Sequence, residues 1–134
     1  MASVFTQIIQ GNIPCEKVFE TEHEIAFLDI MPVSSGHTLV VPKREVARLE
    51  ELTEEEAISL MRTLHRVAIA VSKSQSGIDY NLILNNGPSA GQEVPHVHFH
   101  IIPREHFSTT MFSGRHSCQE EELHETGANI RACL

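Results

Sequence analysis

The stretch Pro95-His96-Val97-His98-Phe99-His100-Ile101-Ile102-Pro103 decides how this chain is read. Polar and apolar residues alternate strictly along it, and in an extended strand successive side chains point to opposite faces. His96, His98 and His100 are therefore expected on one face of a strand over 94–102, with Val97, Phe99 and Ile101 toward the core. A row of imidazoles is unfavourable to bury without partners. In a cleft, the same row supplies a neutral nucleophile, an acid and an orienting group near neutral pH.

Just upstream, Tyr80 to Leu84 reads as a strand and Asn85-Asn86-Gly87-Pro88-Ser89-Ala90-Gly91 as a loop, so the two strands are expected to pair across it. Glycines in that loop permit close backbone approach to a ligand. Asn85 and Gln92 add side-chain donors that suit phosphate oxygens. The histidine row admits three readings: a polar outer face, a metal site, or nucleophilic catalysis. Alternate histidines supply two ligands to an ion and His37 is a candidate third, but no Cys or Asp pattern accompanies them. In the catalytic reading one imidazole attacks an electrophile and a neighbour protonates the leaving group. The loop favours this reading, because loop and histidines then meet the same ligand atom.

Outward from this centre, Ser3 is placed to cap a helix through Gln10, with Phe5, Ile8 and Ile9 inward and Gly11 as its stop. Strands are expected over 18–21 and 25–30 with a turn at 22–24, and over 37–41, closed by Pro42. Thr53 and Glu56 form a capping box, followed by apolar residues at 57, 60, 61, 64, 67, 68 and 71. That spacing predicts one long amphipathic helix ending near Gly77. A last helix is expected over 118–132, capped by Ser117 with Glu120, with Leu123, Ile130 and Leu134 on one face. Gly127 disfavours it.

The 134 residues, 41% of them hydrophobic, are enough for one core and too few for two ordinary domains. The net charge is -8, most of it before residue 57, which excludes a nucleic-acid backbone binder that needs a basic stripe. No apolar run approaches the roughly 20 residues that cross a bilayer, and the N-terminus lacks a secretory pattern, so a cytoplasmic protein without membrane partners is expected. Cys15, Cys118 and Cys133 are odd in number, lack a CxxC and read as reduced thiols.

The motif His96-Val97-His98-Phe99-His100-Ile101-Ile102 closely resembles the signature of the histidine triad (HIT) family of nucleotide hydrolases and transferases. The likeness extends through Val4-Phe5, Ile8-Ile9, Ile13-Pro14, Phe27-Leu28-Asp29-Ile30, Pro32, 36–43 and 85–104. It implies a single α+β HIT domain over 1–134, with 105–134 as an extension beyond the signature. The implied fold is an antiparallel sheet of about five strands with two main helices, plus the C-terminal helix read above. A homodimer with a continuous sheet is also implied.

The resemblance further implies cleavage at the α-phosphorus of purine nucleoside monophosphate conjugates, with no cofactor. His98 would attack phosphorus, the main-chain carbonyl of His96 would orient it, His100 would contact the phosphate and, with Gln92, the scissile region, and His37 would support the triad. Asp29 would bind ribose hydroxyls, Phe5, Phe27 and Ile30 would wall the base, and Asn85 and Gly91 would lie beside ribose or phosphate. Ser3 and Thr6 stand where some relatives carry a zinc-binding Cys-x-x-Cys, so structural zinc is not expected. Glu93 stands where several phosphoramidate-cleaving relatives have a hydroxyl residue. Dinucleoside polyphosphate hydrolysis and a non-catalytic nucleotide-binding module are the alternatives.

Overall fold

A computed structural model describes residues 2–134. Five strands, β1 (Lys17–Glu20), β2 (Glu24–Leu28), β3 (Thr38–Pro42), β4 (Asp79–Leu84) and β5 (Phe99–Arg104), form one antiparallel sheet in the order β1-β2-β3-β5-β4. Three helices, α1 (Val4–Ile9), α2 (Glu54–Ser74) and α3 (Glu120–Arg131), complete the fold. This is the α+β architecture expected from the resemblance.

Strand alternation divides the core in two. Ala26, Leu28, Val40 and Ile101 join the buried residues of α2, together with Val97 and Ile130. On the opposite face Ile25, Phe27, Leu39 and Val41 pack with Phe5 of α1. The histidines project to this second face. The thin α1 side leaves room for a cavity, whereas the α2 side is filled.

The histidine strand is shorter than its alternation predicts, because β5 begins only at Phe99. β3 ends at Pro42, which has no N–H to offer a ladder, and Val97 N–H bonds instead to Val46. The apolar alternation survives this: Val97 and Ile101 are buried in the α2-side core and Phe99 packs against it. The first hairpin turns at 21–23, where Thr21 Oγ1 accepts from the N–H of His23 and of Glu24. Glu24 thus belongs to β2, and Asp29 and Ile30 lie beyond its end.

The Thr53 capping box forms as read. Met61, assigned to the inner face of α2, is instead exposed beside Ile58. At α3 the N-cap is Gln119 and Ser117 lies outside the helix. His116 N–H is held by the Pro32 carbonyl, so the chain is still tied to the 29–33 loop where the cap was expected. Leu134 is exposed past the end of α3. Gly127 has a packing reason: a Cβ there would lie 2.8 Å from Glu16 Cγ, on a side chain that Arg131 grips at 2.7 Å. None of the described helices is long and apolar enough to cross a membrane.

Candidate active site

α1 sets the first wall of the site. Its N-cap Ser3 accepts from Thr6 N–H and lies 2.7 Å from Nδ1 of His96, while Glu45 accepts from Ser3 N–H and Thr6 Oγ1–H. This clip presses Phe5 edge-on against His98, with ring centres 4.8 Å apart, and against Phe27 at 5.6 Å.

Three backbone groups fix the tautomers of all four buried histidines. A carbonyl can only accept a hydrogen bond and an amide N–H can only donate. Pro42 O lies 2.8 Å from Nε2 of His96, so that nitrogen carries the proton and Nδ1 accepts from the Ser3 hydroxyl. The His96 carbonyl lies 2.7 Å from Nδ1 of His98, so Nδ1 carries the proton and Nε2 keeps its lone pair. Val33 N–H donates to Nδ1 of His37 at 3.0 Å, which places the proton of His37 on Nε2. That proton is donated across 2.9 Å to Nδ1 of His100, whose own proton then sits on Nε2.

Burial favours these neutral forms. It lowers the pKa values of His37 and His100 to about 3 and pulls those of His96 and His98 down as well. The 3.7 Å approach of Asp29 Oδ2 to His37 Nε2 is therefore not an ion pair, and it is too long for a hydrogen bond. Asp29 is itself buried, which raises its pKa; Met31 N–H and Arg115 act in the opposite direction. Among the described residues no buried side-chain nitrogen or oxygen lacks a partner.

His98 and His100 open onto a cavity of about 640 Å³ lined also by Phe5, Asp29, Asn85, Gly91 and Gln92. This volume suits a small-molecule ligand. Seven of the eleven residues singled out in the sequence thus meet on one cavity. His96 and His37 stand behind it, bonded to its backbone and to His100. Phe27 packs against Phe5 in the α1-side core, and Ile30, 65% exposed, lies beyond the end of β2; neither lines this cavity directly. Ile30 falls outside because β2 has ended and the chain has turned.

Gln92 lines the cavity and is also bonded into the loop. Its Nε2 donates to the carbonyls of Ala47 and Val94, and its Oε1 accepts from Gly87 N–H. Both donors are thus engaged in shaping the loop. Gly87 is required there by its φ of +100°, a backbone conformation that L side chains rarely adopt.

The chain after β5 supplies the residues that sequence reasoning missed. Met111, Phe112 and Arg115 line the cavity, with the Phe112 ring 4.9 Å from that of His100. The segment has no periodicity; its one signal is the apolar pair Met111-Phe112 within a polar stretch.

For a metal, one group of candidate ligand atoms among the described residues, on Asp29, His37 and His100, lies within 4.8 Å of one another. The His37–His100 proton bridge already uses one nitrogen from each ring, and Val33 uses the other nitrogen of His37. Ligation there would have to replace a proton. Near Ser3 and Thr6 the donors are hydroxyls and Glu45, not thiolates.

Comparison with known proteins agrees with this architecture. The HIT domain family matches residues 10–107. A HIT-like protein of Methanocaldococcus jannaschii is 48% identical over 102 residues, 75% of this chain and 78% of that one. The adenosine 5'-monophosphoramidase hnt1 of Schizosaccharomyces pombe is 43% identical over 104 residues, 78% of this chain and 75% of its own length. A histidine triad nucleotide-binding protein from Sulfolobus tokodaii superposes with a TM-score of 0.87 at 30% identity, covering 97% of this chain and 90% of that one. With its sheet, its three in-register histidines and its matched span in agreement, the chain belongs to the HIT domain family.

Proposed function

We propose that this protein is a nucleotide hydrolase that cleaves purine nucleoside monophosphate conjugates at the α-phosphorus, with an amine or similar leaving group. The carrying observation is the 2.7 Å bond from His98 Nδ1 to the His96 carbonyl, which leaves Nε2 as a free lone pair on a cavity-lining ring. The phosphoramidase activity named for the Schizosaccharomyces relative supports the substrate class.

In the first step His98 Nε2 attacks phosphorus, an N–P bond forms, and the bond to the leaving group breaks. The leaving amine takes a proton from solvent as it departs, and the proton that water gives up in the second step returns to solvent. Water then attacks the phosphorus of the nucleotidyl-histidine, an O–P bond forms, the Nε2–P bond breaks, and His98 regains its lone pair. His100, a neutral donor through Nε2–H, meets the charge on the phosphoryl oxygens. Phe5 offers an apolar wall for the base and Asp29 acceptors for the ribose. His98→Ala is expected to abolish turnover of an AMP-amine conjugate while AMP binding persists; retained turnover would contradict the assignment. Dinucleoside polyphosphates are the competing substrate class, decided by relative kcat/KM.

We also assign the protein a homodimeric state. β4 is a sheet edge with exposed Tyr80 and Leu82, and α2 exposes Ile58, Met61 and Ile69. An unpaired edge bearing apolar side chains is suited to a second copy. Three free cysteines fit a reducing, cytoplasmic setting.

A further inference from the structure

Among the described residues Arg115 is the one cationic side chain lining the cavity, because the histidines are held neutral and the other charged lining residues are Asp29 and Glu93. It arrives on the strap that follows β5. The strap is pinned where Arg104 Nη2 donates to the Met111 carbonyl at 2.8 Å and where His116 N–H donates to Pro32 O. Arg115 Nε donates to Met31 O at 2.9 Å, and its Nη2 donates to Oδ1 and Oδ2 of Asp29 at 3.3 and 3.1 Å.

Two capacities are left over. Nη1 carries two N–H groups and makes no hydrogen bond among the described residues. Asp29 Oδ1 also accepts from Met31 N–H, whereas Oδ2 accepts only from Arg115 and retains a lone pair. Arg115 and Asp29 both line the cavity and are bonded to each other, so a spare donor and a spare acceptor belong to one ion pair there; a hydroxyl, which donates its proton and accepts at oxygen, can use both. The two N–H groups can serve both oxygens of a vicinal diol, one of whose hydroxyls donates back to Oδ2, whereas a methylene in place of either hydroxyl leaves one N–H unused. The guanidinium also offsets the negative charge of Asp29, which would otherwise oppose an anionic phosphate in the same cavity.

We propose that Arg115 is a specificity-determining residue that, with Asp29, selects ribonucleotides over 2'-deoxyribonucleotides. This rests on the nucleotide site proposed above and extends it to a residue outside the histidine signature. The test compares kcat/KM for adenosine 5'-phosphoramidate and its 2'-deoxy counterpart in the wild type, Arg115→Ala and Arg115→Lys. The wild type should favour the ribose substrate, and Arg115→Ala should shrink that preference about tenfold, chiefly through KM. Arg115→Lys keeps the charge without the planar fork and should recover only part of the preference.

The proposal is overturned if the wild type does not discriminate, or if Arg115→Ala lowers both substrates equally. The second outcome would assign Arg115 to ordering the strap or to general charge. Either leaves the hydrolase reading standing. Failure of the wild type to bind AMP or turn over either substrate would remove both.

Discussion

His37 Nε2 and His100 Nδ1 lie 2.9 Å apart, joined by a proton that belongs to His37 because Val33 N–H occupies its other nitrogen. A backbone amide in the loop before β3 thereby dictates which nitrogen of a β5 histidine is protonated. His98 is governed in the same way by the His96 carbonyl, but with the opposite result. One cavity histidine presents a proton and its neighbour a lone pair, without any charged side chain being required to set either.

Replacing His37 with Ala leaves Val33 N–H and His100 Nδ1 without their partners in a buried setting. Urea denaturation should show a loss of roughly 1–3 kcal/mol. Turnover should suffer through kcat more than KM, because His100 is then free to take either tautomer. An unchanged kcat would show that the bridge does not orient His100.

Stability should rise with pH through the acid range. The folded chain holds His37 and His100 neutral down to about 3, while their unfolded counterparts take up protons below the ordinary 6.5. The unfolded state therefore binds more protons in that window, so stability is fully present above it and is lost as pH falls. Glu20, Glu50 and Glu56, held at about 2 by hydrogen bonds from Lys17, Arg48 and Arg44, act with the same sign below their ordinary 4.5. Urea midpoints measured from about pH 4 to about pH 8 should climb and then level off near neutrality. A His37→Gln variant should climb less.

Gln92→Glu keeps the acceptor for Gly87 N–H but replaces the donors to Ala47 O and Val94 O with a charged oxygen. The expected result is a stability loss of about 1–3 kcal/mol with a disordered 85–92 loop. If Gln92 acted chiefly by touching phosphate, KM would rise while the denaturation midpoint stayed in place.

A lysine at position 82 would put a charge on the exposed edge strand β4. Sedimentation of Leu82→Lys should show a shift from dimer to monomer relative to the native chain. A wild-type monomer at micromolar concentration would remove the homodimer assignment.

Much of this site was legible because it rests on local pattern. Alternation placed Val97 and Ile101 in one core and the histidines on the other face, and the Thr53 capping box started α2 where expected. What escaped depends on long-range contacts. Ile30 reads in sequence as part of a strand over 25–30 but follows the end of β2 and is exposed. Gln92 looked free, yet its donors are taken by carbonyls that include one 45 residues away. Arg115 finds Asp29 across 86 residues from a segment with neither period nor motif, so only the folded chain brings them together. Gly127 read as a weakness in α3 because the Glu16 side chain that needs its space belongs to another element.

The central claim is that His98 Nε2 is the nucleophile. Rapid acid-free quenching of the enzyme during turnover of adenosine 5'-phosphoramidate, followed by intact-mass analysis and peptide mapping, measures it most directly. The account predicts one adenylyl group per chain, attached to His98 and absent from His98→Ala. An adduct on another residue, or steady turnover by His98→Ala, would contradict it.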